Sequence, residues 1–124
     1  MTTYEYHLAY PPSVNKTWRH KGGQFYVSQK TKAYRVDVLA AVLSQGQPPR
    51  LGCPLAVHLF VSPPDARRRD LDNIFKTCLD ALALAGVFVD DSQIVELSAK
   101  REAVAKPGGV LVRVIPARKE EVEI

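Results

Sequence analysis

The chain has 124 residues, 46% of them hydrophobic and 24% charged, which is the length of one domain with enough apolar content to bury a core. Its net charge of +4 and pI of about 9.2 suit a polyanionic partner, although the placement of the charge matters more than its sum. Cys53 and Cys78 lack CxxC or Cys/His spacing, which argues against a disulfide framework or structural zinc.

Residues 1–10 lack the charged and apolar regions of a signal peptide. No apolar run approaches the roughly 18–20 residues that span a bilayer. The expectation is a soluble, reduced, cytoplasmic protein with no membrane partner.

Residues 3–8 alternate, with Tyr4, Tyr6 and Leu8 on one face and Thr3, Glu5 and His7 on the other, and predict a half-buried strand. Pro11 and Pro12 end it, because proline cannot donate to a ladder. Residues 16–23 read as a loop. Its cations Lys16, Arg19 and Lys21 could pair with phosphates, and Trp18 could stack on a base. A solvated loop with Trp18 folded onto the core is the plainer reading.

Residues 25–27 predict a short strand, and Ser28 is a candidate N-cap. Tyr34, Val38, Ala41 and Val42 recur at helical spacing, with Val36, Leu39 and Leu43 widening the stripe, so an amphipathic helix is expected over 30–43. Residues 55–61 carry apolar groups on both faces and predict an interior strand covered on both sides. His58 within it reads as a structural histidine.

Leu71, Ile74, Phe75, Cys78, Leu79 and Leu82 form a second helical stripe, and Gly86 suits its left-handed stop. Residues 87–89, 94–99 and 110–115 predict further strands, with a turn at Lys106-Pro107-Gly108-Gly109. Residues 117–124 form a charged tail expected to be mobile, leaving 1–116 as the folded domain. The fold class expected is α+β: one small domain with a mixed β-sheet packed by two main helices.

The chemically suggestive residues concentrate between Asp65 and Gln93. Arg67, Arg68 and Arg69 abut Asp70 and Asp72, Lys76 follows one turn later with Asn73 on the same polar side, and Asp90-Asp91 follows the helix. A hard divalent cation takes oxygen ligands, usually one or two carboxylates, with substrate phosphate completing its shell. The absence of nearby histidine and cysteine favours Mg²⁺ or its substitute Mn²⁺ over zinc. The arginines would offset the repulsion between these carboxylates and DNA by pairing with phosphates.

Each feature also has a structural explanation. Asp70 could cap the helix, Asp72 and Lys76 could form an i,i+4 pair worth roughly 0.3–0.5 kcal/mol, and Asp90-Asp91 could be a plain turn. Geometry adds a difficulty. A helix over 71–85 rises roughly 22 Å at 1.5 Å per residue, and the four steps from Gly86 to Asp90 return at most about 14 Å. Asp91 meets Asp72 only if the helix is short or bent back, or if the site is completed across a dimer.

The run Arg67-Arg68-Arg69-Asp70-Leu71-Asp72-Asn73, with Lys76, Asp80-Ala81-Leu82, Ala85-Gly86 and Asp90-Asp91-Ser92-Gln93, resembles the RusA family of Holliday junction resolvases. Residues 11–15, Arg19-His20, Val27-Ser28, Lys106 and Gly108-Gly109 extend the likeness over roughly 4–115. The resemblance implies a RusA-like fold and a homodimeric, Mg²⁺-dependent, structure-selective endodeoxyribonuclease that serves DNA recombination and repair. Its partner would be four-way junction DNA, resolved by symmetric paired nicks. It also implies that Asp70, Asp72 and Asp91 are catalytic metal ligands, that Lys76 is a catalytic cation and that Arg69 contacts DNA. Asp90 and Asn73 would be accessory. Two alternatives stand beside it: a less selective branched-DNA nuclease, and a basic DNA-binding module without catalysis.

Overall fold

The computed structural model describes residues 2–12, 18–21, 24–67 and 71–117, with side chains described for all of these except 18–21 and 24–27. Strands β1 (Tyr4–Leu8), β4 (Leu55–Ser62), β5 (Ile94–Arg101) and β6 (Gly109–Pro116) form one sheet in the order β1-β6-β4-β5. Its β1–β6 and β6–β4 pairs are antiparallel and its β4–β5 pair is parallel. Strands β2 (Trp18–Lys21) and β3 (Gln24–Val27) make a separate antiparallel pair. Helices α1 (Gln29–Leu43) and α2 (Leu71–Leu84) complete the α+β domain expected from the hydrophobic pattern.

Period-two alternation explains the sheet. Tyr6 and Leu8 of β1, Leu55, Val57, Leu59 and Val61 of β4, and Val110, Val112 and Val114 of β6 are buried on one face. The helices press Tyr34, Val38, Val42, Ile74, Cys78 and Leu82 onto that face. Both cysteines are free thiols, and Cys78 lies in the core. Its burial pushes the thiol pKa up to about 12. The Tyr34 hydroxyl donates to the Ala9 carbonyl at 2.8 Å and sits 3.5 Å from Cys78 Sγ, tying α1 to β1 and α2.

Ser28 caps α1 as its sequence position suggests, its Oγ accepting from the Thr31 N–H at 3.3 Å. Gly86 ends α2 at φ +90°, where an L side chain would be strained.

Four expectations are corrected. Val36, Leu39 and Leu43 do not widen the buried stripe of α1; they are 65%, 40% and 52% exposed, because the single stripe of Thr31, Tyr34, Val38 and Val42 is the face that meets the rest of the domain. Residues 18–21 are a strand rather than loop, paired with β3. Residues 87–89 make only an isolated parallel bridge, Leu51 with Phe88. β4 is buried on one face only. On the other, Ala56, His58 and Phe60 are half-buried, shaded by cross-strand neighbours such as the Arg113 guanidinium 4.9 Å above the Phe60 ring. The expected turn at 106–109 is present; it carries the chain past β4, and β6 enters between β1 and β4. The expected mobile tail lies outside the described residues beyond Ala117.

Two connections fix where the acidic residues sit. β4, α2 and β5 form a parallel crossover, so α2 starts at the end where β4 and β5 finish and returns to the end where they begin. The turn before β6 packs against the segment leading into α2. Ala105 N–H donates to the Pro63 carbonyl at 2.9 Å, and a Cβ on Gly108 (φ +85°) would lie 2.9 Å from Pro64.

Candidate active site

The start of α2 presents Asp72 and Lys76 on its exposed face, one turn apart, with Asn73 half-buried beside them. Asp72 lies in the first turn, where a carboxylate favours the helix dipole. Among the described residues no ion pair joins Asp72 to Lys76, so the structural explanation of that pair is not realised. Both groups stand open to solvent and to a ligand. Asp70, Arg68 and Arg69 lie outside the described residues, as does Lys16.

Arg67 is described, and its charge is partly spoken for. Its guanidinium reaches Asp65 through Nη2 at 3.2 Å and Nε at 3.2 Å, and its backbone N–H donates to Asp65 Oδ1 at 3.0 Å. This local turn holds the approach to α2 while leaving the Arg67 side chain 79% exposed. Arg19 and Lys21 take alternate positions on β2, opposite Tyr26 and Gln24 of β3.

The second acidic pair is built differently. Asp91 opens a 3-10 turn, Asp91–Gln93, that leads directly into β5. Gln93 anchors it. Its Oε1 accepts from the Val89 and Asp90 N–H groups at 2.9 and 2.8 Å, and its Nε2 donates to the Leu51 and Cys53 carbonyls at 2.9 and 2.8 Å. The Ser92 hydroxyl donates to Asp90, which holds the Asp90 carboxyl below the usual carboxylate range. Asp90 is thus committed to its own turn, and Asp91 is exposed beside it.

Asp90 and Asp91 share an open cleft of about 330 Å³ with Arg35, Asp80, Ala83 and Leu84. The cleft sits on the second half of α2. Asp80 is two turns beyond Asp72, a rise of roughly 12 Å at 1.5 Å per residue. One copy therefore holds Asp72 and Asp91 at opposite ends of the same crossover: Asp72 where β4 and β5 finish, Asp91 where they begin. Sequence reasoning raised this difficulty, and the structure bears it out without bending α2 back.

The chemistry of the donors suits a hard cation, since Asp72 and Asp91 offer exposed carboxylate oxygens. Their arrangement within one copy does not. Among the described residues no three carboxylate, histidine or cysteine side chains converge on one point. His58, the one other titratable group of interest, sits on the far face of the sheet. Its Nδ1 is 2.5 Å from Ser98 Oγ and its Nε2 is 3.2 Å from Glu96, so it is a satisfied structural histidine. Sequence reasoning gave no role to Arg35, which α1 brings to the Asp91 cleft. A cation outside the apolar stripe of a helix is a weak signal on its own. Gln93 entered only as part of a motif, although a glutamine after two aspartates is the residue able to accept and donate at once.

The family model for endodeoxyribonuclease RusA matches residues 9–115. This chain belongs to the RusA family. It is 40% identical over 111 residues to the crossover junction endodeoxyribonuclease RusA of Enterobacteria phage HK97, covering 90% of this chain and 92% of that one. It is 38% identical over 108 residues to the enzyme of the same name from Escherichia coli K12, covering 87% and 90%. The namesake of Enterobacteria phage 82 is 37% identical over 108 residues. Among the described residues no helix is long and apolar enough to cross a membrane.

Proposed function

We propose that this chain is a crossover junction endodeoxyribonuclease, hydrolysing phosphodiesters in four-way junction DNA during recombination and repair. The observation that carries this reading is its likeness, over nine-tenths of its length, to relatives bearing that name. The exposed Asp72, Lys76 and Asp91 supply the chemistry such an enzyme needs.

In this reading Asp70, Asp72 and Asp91 hold Mg²⁺, or Mn²⁺ in its place. The ion, when bound, supplies positive charge against the negative charge that develops on the scissile phosphate. Lys76 faces the same side of α2 as Asp72 and neutralises a phosphate oxygen, while Asn73 donates to the substrate from the next position. Arg67, Arg68 and Arg69 pair with backbone phosphates ahead of the helix, and Lys16, Arg19 and Lys21 do so from the N-terminal segment. Binding is then salt-sensitive, with a slope that tracks the number of phosphates neutralised. Asp90 acts through its neighbour: its turn fixes where Asp91 points.

Because one copy separates Asp72 from Asp91, each site takes Asp72 from one copy and Asp91 from another. A two-fold homodimer then carries two such sites, matching a junction in which two opposing strands are cut.

Complementation tests this. Asp72→Asn and Asp91→Asn are each expected to bind a synthetic junction and fail to cut it. Mixed together, they form heterodimers in which one site carries both substitutions and the other carries neither. Single nicks should return in the mixture. If each site lay within one copy, every site in the mixture would be damaged and no nicks would appear. Cutting of linear and splayed-arm DNA as fast as the junction would instead favour the less selective nuclease.

A further inference from the structure

We infer that Arg35 is a substrate-binding residue: from the Asp91 cleft its guanidinium grips a backbone phosphate of the junction strand and so admits DNA to the carboxylates there. This rests on the nuclease reading above and adds a cation to it.

The cleft is lined by Arg35, Asp80, Asp90 and Asp91, with Ala83 and Leu84 as its apolar wall. Three carboxylates around one open cleft repel a polyanion, so a phosphodiester approaches Asp91 only if something offsets them. Among the described residues, Arg35 is the cation that lines this cleft. The fold brings it there from another helix. The residue before it, Tyr34, sits 3.5 Å from Cys78 Sγ, which ties this turn of α1 to the middle of α2, two residues short of Asp80. Arg35 is half-buried, whereas Lys32 and Asp37 on either side of it are exposed. Its long side chain is therefore held against the protein rather than swinging in water, which lowers the entropy lost when it takes a ligand.

Arg35 makes no ion pair with any of the three aspartates. Among the described residues the ion pairs join His58 to Glu96, Arg67 to Asp65 and Arg113 to Glu5. A direct pair with Asp80 or Asp91 would have neutralised the guanidinium. Instead the cation and the carboxylates stand apart around about 330 Å³ of open space. A phosphodiester suits that arrangement. It offers two non-bridging oxygens to the planar fork of guanidinium N–H donors, which binds such a group two bonds at a time. Arg67 is partly taken up by Asp65, so the two arginines differ in how much charge they keep for a ligand.

The plainer alternative is a counter-charge that only steadies the helix pair, and the test separates the two. It uses the full chain carrying Asp72→Asn as parent and a synthetic four-way junction in EDTA, where no divalent ion competes with the counterions. Junction affinity is measured over a range of salt concentrations. Adding Arg35→Ala should make the log–log slope shallower by about 0.9 and weaken binding about threefold. Arg35→Lys should keep the slope, because the charge remains, yet cut the junction more slowly in the chain with Asp72 intact, because the fork is lost. Arg113→Gln removes a cation from the far face of the sheet, beside His58, and should leave the slope unchanged. Arg35→Ala should melt within about 2 °C of its parent, having no ion pair to lose.

A slope that ignores Arg35→Ala, or that falls equally for Arg113→Gln, overturns the phosphate contact and leaves the nuclease reading intact. A lower melting temperature with an unchanged slope assigns Arg35 to the fold and overturns it too. A junction that the parent itself does not bind overturns both. Mixing gives a second readout: with Asp72 intact, Arg35→Ala should regain fast nicking when mixed with Asp72→Asn and not when mixed with Asp91→Asn, because Arg35 and Asp91 line one cleft of one copy. The reverse pattern overturns the assignment.

Discussion

Gln93→Ala should be the most informative single substitution outside the acidic residues. The Gln93 side chain makes four hydrogen bonds, two accepted from Val89 and Asp90 and two donated to Leu51 and Cys53. It thereby joins the loop carrying Asp91 to the segment that begins β4. A net contribution of about 0.5–1 kcal/mol per bond, lowered where the half-buried groups regain water, gives a loss of about 2–3 kcal/mol. In a domain of this size that is a fall of roughly 10 °C in melting temperature. Circular dichroism melts would measure it. Gln93→Glu sharpens the test, because its carboxylate still accepts from Val89 and Asp90 yet turns an oxygen onto the Leu51 and Cys53 carbonyls. It should be at least as destabilising as the alanine at pH 8. If Gln93→Ala melts within about 2 °C of the parent, the four bonds do not hold this turn and the account of how Asp91 is positioned fails.

Other outcomes are expected from the same structure. Lys76→Ala should lower the cleavage rate at saturating junction while changing junction affinity less than twofold to threefold, about the effect of one phosphate contact among many; an equal loss in both would assign Lys76 to binding alone. Gly108→Val should destabilise the fold by about 2 kcal/mol or more, from a left-handed φ and a clash with Pro64, and would be seen as lost soluble yield or a lower urea midpoint. The Cys78 thiol is held neutral to about pH 12 in the folded chain, while in the unfolded chain it ionises near its ordinary value of about 8.5–9. The folded state therefore keeps a proton that the unfolded state loses, and stability from this group is full below pH 8.5 and falls as pH rises toward 12, by up to about 1.4 kcal/mol per unit. Urea unfolding at pH 8 and pH 10 measures that slope, and Cys78→Val should make it shallower.

The periodic segments were legible because burial acts on one face at a time. Leu55, Val57, Leu59 and Val61 had only to alternate, and Ile74, Cys78 and Leu82 only to recur each turn, for β4 and α2 to be readable. Ser28 and Gly86 punctuate helices through local chemistry that needs no tertiary context. What escaped depends on distant partners. Val36, Leu39 and Leu43 are as apolar as their buried neighbours, and only the choice of which face of α1 meets the rest of the domain decides that they stay outside. The Lys106–Gly109 turn has hairpin composition, yet β6 pairs with β1 and β4 because a slot between two strands satisfies both of its edges and an outer position only one. At the site, residue types and spacing pointed to Asp72, Lys76 and Asp91. Their relation in space was not legible in the sequence alone, since it depends on which end of the crossover each one occupies.

The place of β6 bears on how the molecule comes into being. The last strand among the described residues sits inside the sheet, and β1 and β4 are joined through it. Until residues 109–116 arrive, the first strand has no partner and β4 lacks its antiparallel partner along one edge. Folding must wait for the most sequence-distant contacts in the domain, which slows it and makes it all-or-none. A chain still being synthesised, or one cut short before β6, cannot assemble the sheet that holds α2 and the Asp91 turn. Formation of the site is thereby tied to the arrival of β6.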